Sequence, residues 1–421
     1  MGSPNDQYAH TMLRRTLICA AGVLISVACT DGGDAGSGST APPDPVVPSG
    51  PVGVEGLAGR LVTIDDTGNI IVIEPDGSSP VSVTDDAGES ARYSQPSWSP
   101  GSDRLAWSEI SVANGIGVGL SDPDGAQRAT AAMGAPPFFM YWSPDGQGMG
   151  VLHNGSQGAI EFELVDTATA TTRVVANGSP FYFSWSPSSD QLVVHIRGVE
   201  FAILDLDGAP TDLGETAVAY PAPHWTPAGI FHLGGQGLEL HIVDGETRVL
   251  AKTTGPLALV ANDQGNRLAV QAVLPEGQGG IEVALEDTAP LPTNVVVLID
   301  VESARLETIT AAPSIGFFWS PDGESLLILE PTSTIGEVRV LVWSAGETRQ
   351  LGVMSPHPFF IRDVLQFFDQ YSQSLQLWSP DSEAVTLPGA VESEPGIWVY
   401  MVGGGNPVRV SDGSWAAWSE E

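Results

Sequence analysis

From Gly59 onward the chain is written in short apolar runs punctuated by Gly, Pro, Asp and Ser, the pattern of strands and tight turns. One stretch, Phe317 to Leu329 (FFWSPDGESLLIL), contains the whole grammar. A short strand closes on Trp319, Pro321 stops it because proline lacks a ladder donor, Asp322 and Gly323 supply a tight turn, and an aliphatic strand follows. The same phrase returns as SWSPGSDRLAW (Ser97 to Trp107), YWSPDGQGMGVL (Tyr141 to Leu152), SWSPSSDQLVV (Ser184 to Val194), HWTPAGIFHL (His224 to Leu233) and LWSPDSEAVTL (Leu377 to Leu387). A copy without Trp, VANDQGNRLAV, lies at Val260 to Val270, and WSEE begins at Trp418.

With the Trp as origin the copies fall at 98, 142, 185, 225, 261, 319, 378 and 418, so most intervals are 36 to 44 residues and two are 58 and 59. A fixed period of this length denotes a repeat architecture. After the second strand of each interval comes an alternating third strand, clear at Ile70 to Ile73, Val338 to Trp343 and Gly396 to Met401, then a polar turn and a fourth. Four antiparallel strands per repeat of about 40 residues predict a β-propeller blade. A single blade has two apolar faces and can bury neither alone, so blades must stack around an axis, with the Trp and its aromatic neighbour filling the wedge between them. Trp107, Trp343 and Trp398 fall in second or third strands and do not mark repeats. Residues 59 to 96 contain second, third and fourth strands without a first, which SWAAWSE at the other terminus supplies. Closing the ring with strands from both ends gives an all-β, single closed propeller of eight blades, or seven if the copy near Asn262 is not a blade.

The motif W-S-P-D-G followed by an apolar strand resembles the TolB-like propeller repeat of bacterial envelope proteins and of propellers attached to some serine peptidases. The similarity spans roughly Gly59 to Glu421 and implies a fold; function is not implied, because this fold hosts many activities. No partner residue of TolB carries over, since the strands here follow a tether directly where TolB has an α/β domain.

The first residues bear on cellular address. Arg14 and Arg15 precede an apolar run, Leu17 to Ala28, suited to a signal-peptide core and too short for a permanent span. It leads through Ile25-Ser26-Val27-Ala28 into Cys29, which resembles the lipobox of bacterial lipoproteins, with Ser26 where Leu is usual. The resemblance implies acylation of Cys29. The expected domains are therefore a signal at 1–29, a Gly/Ser/Pro-rich tether at 30–56 and the propeller at 57–421. Both cysteines, Cys19 and Cys29, fall in the signal, leaving none in the mature body for a disulfide, a nucleophile or a metal. Gly (49) and Pro (33) are plentiful, which agrees with many short strands. A formal charge of −35, with Lys252 the single lysine, repels phosphates and anionic headgroups and excludes nucleic acid as a partner.

Two insertions interrupt the period. Leu274 to Asn294 is acidic and Pro/Gly-rich and is expected as an exposed loop between second and third strands. Near 361–375, Ile361, Leu365, Phe368, Tyr371 and Leu375 recur at helical spacing and predict a short helix between two blades, either a packed cap or an apolar partner-binding element.

The sequence holds no Gly-x-Ser-x-Gly, His-Glu-x-x-His, P-loop or dinucleotide fingerprint. His153, His195 and His232 fall on second strands of successive blades, with Glu109 and Glu330 at the same offset as His153, so a metal or acid/base cluster around the channel is one reading. Satisfaction by neighbouring groups is the plainer one. Asp145, Asp322 and Asp381 of the turns could ligate calcium, although capping a turn needs no ion. Asn154-Gly-Ser and Asn177-Gly-Ser match glycosylation sequons and are read as turns. No catalytic residue, cofactor or metal ligand is assigned. The expectation is an exported, membrane-anchored lipoprotein, monomeric, whose propeller binds a protein or polymer of the cell envelope. A channel-centred hydrolase or lyase, or a small-ligand or cation sensor, are the alternatives.

Overall fold

A computed structural model describes residues 54–421 except 156–157, 199, 208, 216–221, 244, 254–256 and 273–290. The expected signal, Cys29 and most of the tether lie outside the described residues, as does most of the acidic insertion. Val54 already packs with Leu57 against Ile73 and Val410, so the folded body begins slightly before the boundary read from composition.

Eight blades, seven of four strands and one of three, circle an axis. The first combines Trp415–Trp418, Leu61–Ile64, Ile70–Ile73 and Val81–Ser82, with Leu61 opposite Trp418 and Ile64 opposite Trp415. The ring is therefore latched by both ends of the body, as the missing first strand required. Blades 2 to 7 start from inner strands Ala91–Trp98, Pro137–Trp142, Phe181–Trp185, His224–Thr226, Leu257–Ala261 and Gly316–Trp319, and the Trp-less copy is a full blade. Blade 8 has Ala384–Val391, Glu394–Met401 and Val408–Ser411, but its inner strand shrinks to a bridge between Trp378 and Val385. Blades 7 and 8 form one seven-stranded sheet, because the long outer strand Glu347–Pro356 also pairs with Ala384–Val391.

The repeat motif fastens neighbouring blades. Trp98, Trp142, Trp185, Trp378 and Trp418 are buried, and Trp225 and Trp319 partly so. The indole N–H of several of them reaches the residue just before the marker in the preceding blade: Trp185 donates to the Tyr141 carbonyl at 3.1 Å, Trp319 to Val260 at 2.9 Å and Trp378 to Phe318 at 3.1 Å. The adjoining Ser is the hub of the turn. Ser320 Oγ donates to Asp322 at 2.5 Å and accepts from the Ser325 N–H at 2.9 Å, and Ser143 and Ser379 repeat this. The fifth motif position needs a left-handed backbone, with φ of 70° at Gly146 and Gly323. Serine occupies it at Ser102, Ser189 and Ser382, with φ of 58°, 63° and 62°. There the hydroxyl accepts a backbone N–H from the preceding blade, Asp145 at 3.0 Å onto Ser189 and Asp322 at 3.3 Å onto Ser382, which offsets the strain. The turn aspartates thus cap turns, as Asp145, Asp322 and Asp381 each accept the backbone N–H two residues on.

The turn reading fails for Asn177. It lies in the outer strand Thr171–Gly178, opposite Glu161, because the ladder to Ile160–Asp166 continues through it.

Candidate functional site

The inner strands of a propeller present one edge to its axis, where their N–H and C=O groups have no neighbouring strand. Here the segment linking blade 7 to blade 8 supplies partners. After Pro356 the chain turns into the axis as a π-turn, Phe360–Val364, a 3-10 turn, Leu365–Phe367, and one α-turn, Phe368–Tyr371. The helical spacing and the place in the chain between two blades were legible; what the sequence does not show is that the segment lies against the inner strands. Phe360, Val364, Leu365, Phe368, Tyr371 and Leu375 are buried, while Ile361 is 38% exposed.

This plug touches inner strands around the ring. Gln370 reads Phe183 of blade 4 like a missing strand, accepting its N–H at 3.0 Å and donating to its carbonyl at 2.8 Å. The Tyr371 hydroxyl donates to the Phe138 carbonyl of blade 3 at 2.7 Å, and Gln373 to the Pro223 carbonyl at 3.2 Å. Phe368 stacks edge-on against Phe317 of blade 7 with ring centres 4.8 Å apart, and Phe359 against Trp415 of blade 1 at 5.8 Å. His224 ties plug to ring, its Nε2 donating to the Asp369 carbonyl at 2.9 Å and its Nδ1 accepting the Ala261 N–H at 3.4 Å. Burial lowers its pKa to about 4, and the paired donor and acceptor select the neutral ring. Tyr371 is raised by the same burial.

Among the described residues, two hollows flank the plug. On the side opposite the Trp-Ser-Pro turns, a cavity of about 430 Å³ lies between the plug and blades 2 to 4. Phe138, Phe139, Phe181, Tyr182, Phe359 and Phe367 are among its lining, with Gln95, Asp363 and Gln370 as polar points. A concave, aromatic wall with few polar groups is the general character of a ligand pocket, and the volume falls in that range. On the turn side a hollow of about 420 Å³ carries Asp263 and Glu420. Both carboxyls are raised, first by the protein packed around the mouth and for Glu420 also by the Asp263 charge.

The polar second-strand positions do not converge on the channel. Glu109 is held by Asn114 at 2.8 Å, Arg128 at 3.0 Å and Thr130 at 3.2 Å, all in its own blade. Glu330 pairs with Arg339 opposite it. His153 meets Glu163 at 2.8 Å and Glu161 at 3.9 Å, both from the third strand of its own blade. His232 lies 3.8 Å from Glu239 and 4.4 Å, ring centre to ring centre, from Phe201; burial lowers it to about 4. His153 and His232 thus meet carboxylates, while His195 lies opposite Tyr182 of the inner strand, ring centres 6.4 Å apart, so an inner strand stands between each second-strand histidine and the axis. The glutamate partners Glu161 and Glu163 went unnoticed in the sequence, although alternation on a strand facing His153 was the signal that placed them on its face.

No family model matches the sequence, and no curated protein matches it. Among solved structures, the dihydro-heme d1 dehydrogenase NirN in complex with DHE matches 88% of this chain and 76% of its own at 14% identity, TM-score 0.56. An oligogalacturonate lyase from Vibrio parahaemolyticus matches 82% of this chain and 98% of its own at 13% identity, TM-score 0.51. TolB from Acinetobacter baumannii matches 70% of this chain and 67% of its own at 14% identity, TM-score 0.39. At such identities the likeness is one of fold: the chain is a β-propeller.

Proposed function

We propose that the protein is an envelope-anchored binding scaffold, tethered through an acylated Cys29 and presenting the mouth with the aromatic cavity to a protein or polymer. The observation that carries this reading is the cavity of about 430 Å³, walled by aromatic side chains from blades 3 and 4 and the plug. The channel interior is occupied by the chain's own residues, so recognition falls to the mouth, where an apolar side chain or ring of the partner enters the cavity. The strong negative charge of −35 favours a partner with a cationic surface around that contact.

Affinity capture from envelope extract tests it, comparing the full chain with Phe138→Asp in the cavity wall and with Asp263→Asn in the opposite mouth. Phe138→Asp should lose the captured species while Asp263→Asn keeps it. Capture that is indifferent to Phe138→Asp would remove the mouth as the binding face. The anchor is tested separately by fractionation: a Cys29→Ser protein that stays equally membrane-bound would end that part of the proposal.

A further inference from the structure

On the blade 3 face turned away from the cavity, His153 is 2% exposed at its side chain, Glu163 8% and Glu161 27%. Their placement follows from the ladder. His153 sits directly opposite Glu161, and Glu163, two residues on, projects from the same face, so two carboxylates flank one imidazole. His153 Nε2 is 2.8 Å from Glu163 Oε1 and 3.9 Å from Glu161 Oε2, and one ligand atom from each of the three lies within 4.8 Å of the others.

For a neutral ring the donor inventory is short by one. Nδ1 faces the Asn154 carbonyl at 3.3 Å and Nε2 faces carboxylate oxygen, so both ring nitrogens point at acceptors. A neutral imidazole has a single N–H. With that hydrogen on Nδ1, directed at the backbone carbonyl, the Nε2 lone pair and two carboxylates aim at one another across a buried gap. A cation between them resolves the clash. An imidazole whose far nitrogen donates to a backbone carbonyl is also the usual way a ligating histidine is oriented.

We propose that His153, Glu161 and Glu163 bind one divalent transition-metal ion of the zinc or manganese type. Two atoms each about 2 Å from an ion stand roughly 3 to 4 Å apart; the imidazole nitrogen stands 2.8 and 3.9 Å from the two carboxylates, and all three ligand atoms lie within 4.8 Å, so a small movement of the Glu161 side chain closes the shell. An imidazole nitrogen with two carboxylates suits such ions better than calcium or magnesium, which take oxygen. Three protein ligands leave a coordination position open, and the exposed flank of Glu161 gives the ion its entry. Gly155 supports the site without ligating: a Cβ built there would lie 2.4 Å from Glu161 Oε1, so only glycine lets that carboxylate fold back over the cluster.

The test titrates the metal-free full chain with zinc chloride and manganese chloride by calorimetry, then counts metal after desalting. The expected result is one ion per chain, with affinity at least tenfold weaker in Glu161→Gln and in Gly155→Ala, neither of which removes a fully buried group. Calcium chloride should bind no differently to wild type and Glu161→Gln, since the acidic surface binds it diffusely in both. Should His153→Gln disturb folding, those two variants still decide the matter, with circular dichroism to confirm that they fold. Zinc and manganese binding unchanged by Glu161→Gln and Gly155→Ala overturns the site. So does a nitrogen NMR spectrum in which both His153 nitrogens carry protons and do not move on adding zinc, because a proton then fills the gap.

Discussion

Gln370→Ala strikes the contact that best defines the plug. The Gln370 side chain is 3% exposed, and its two bonds to Phe183 measure 3.0 and 2.8 Å. Removing it deletes two hydrogen bonds worth about 1 kcal/mol each and strands a buried N–H and a buried C=O, at about 1 to 3 kcal/mol for each group left unmet. These overlap, since stranding the groups is how the bonds are lost, so the expected cost is roughly 2 to 5 kcal/mol. Urea unfolding of the full chain measures it, and amide exchange at Phe183 should accelerate in parallel. Gln370→Leu separates bonding from packing: it refills most of the volume without donor or acceptor and should remain close to the alanine variant. If Leu restores wild-type stability, or if Phe183 exchange is unchanged in Gln370→Ala, the plug does not complete the strand edge and the reasoning fails.

Two further outcomes follow from the same coordinates. His224 and His232, held to about 4 by burial against 6.5 when unfolded, bind fewer protons in the native state between those values, so stability is full above about pH 6.5 and falls as pH drops towards 4. The loss is on the order of 3 kcal/mol for His224, and His224→Gln should show a shallower acid slope in denaturant titrations at pH 7 and 4.5; an equal slope would clear His224 of the role. Trp418 is fully buried and pairs with Leu61 at the latch, so Trp418→Ala should cost about 3 to 5 kcal/mol by urea unfolding, and a cost below 1 kcal/mol would mean that the closure contributes little.

The repeat and the closure were legible before any coordinates, and the blade count was narrowed to eight or seven, because each depends on local chemistry. Pro321 ends a strand wherever it stands, Asp322-Gly323 turns the chain, and alternation in Val338 to Trp343 marks a sheet face whatever lies opposite. Even the Trp-less blade at Val260 was readable, since Asn262 and Gly265 preserve the turn. The latch followed by elimination, a strand missing at one end and spare at the other.

What tertiary structure alone decided is where the irregular pieces went. Helical spacing at Leu365, Phe368, Tyr371 and Leu375 predicts an apolar stripe but is silent on what receives it, and the receiver proved to be the unpaired inner edge of several distant strands. Gln370 and Asp369 look like surface polar residues in the sequence; only a ring of backbone groups converging from blades 4 and 5 makes them structural. His153 was singled out from the sequence, but Glu161 and Glu163 were not, because only a cross-strand register brings them to it, and register is set by the hairpin and the blade faces as a whole. Local sequence determines which elements form and how often they recur, whereas contacts between residues far apart in the chain exist only after the ring has closed.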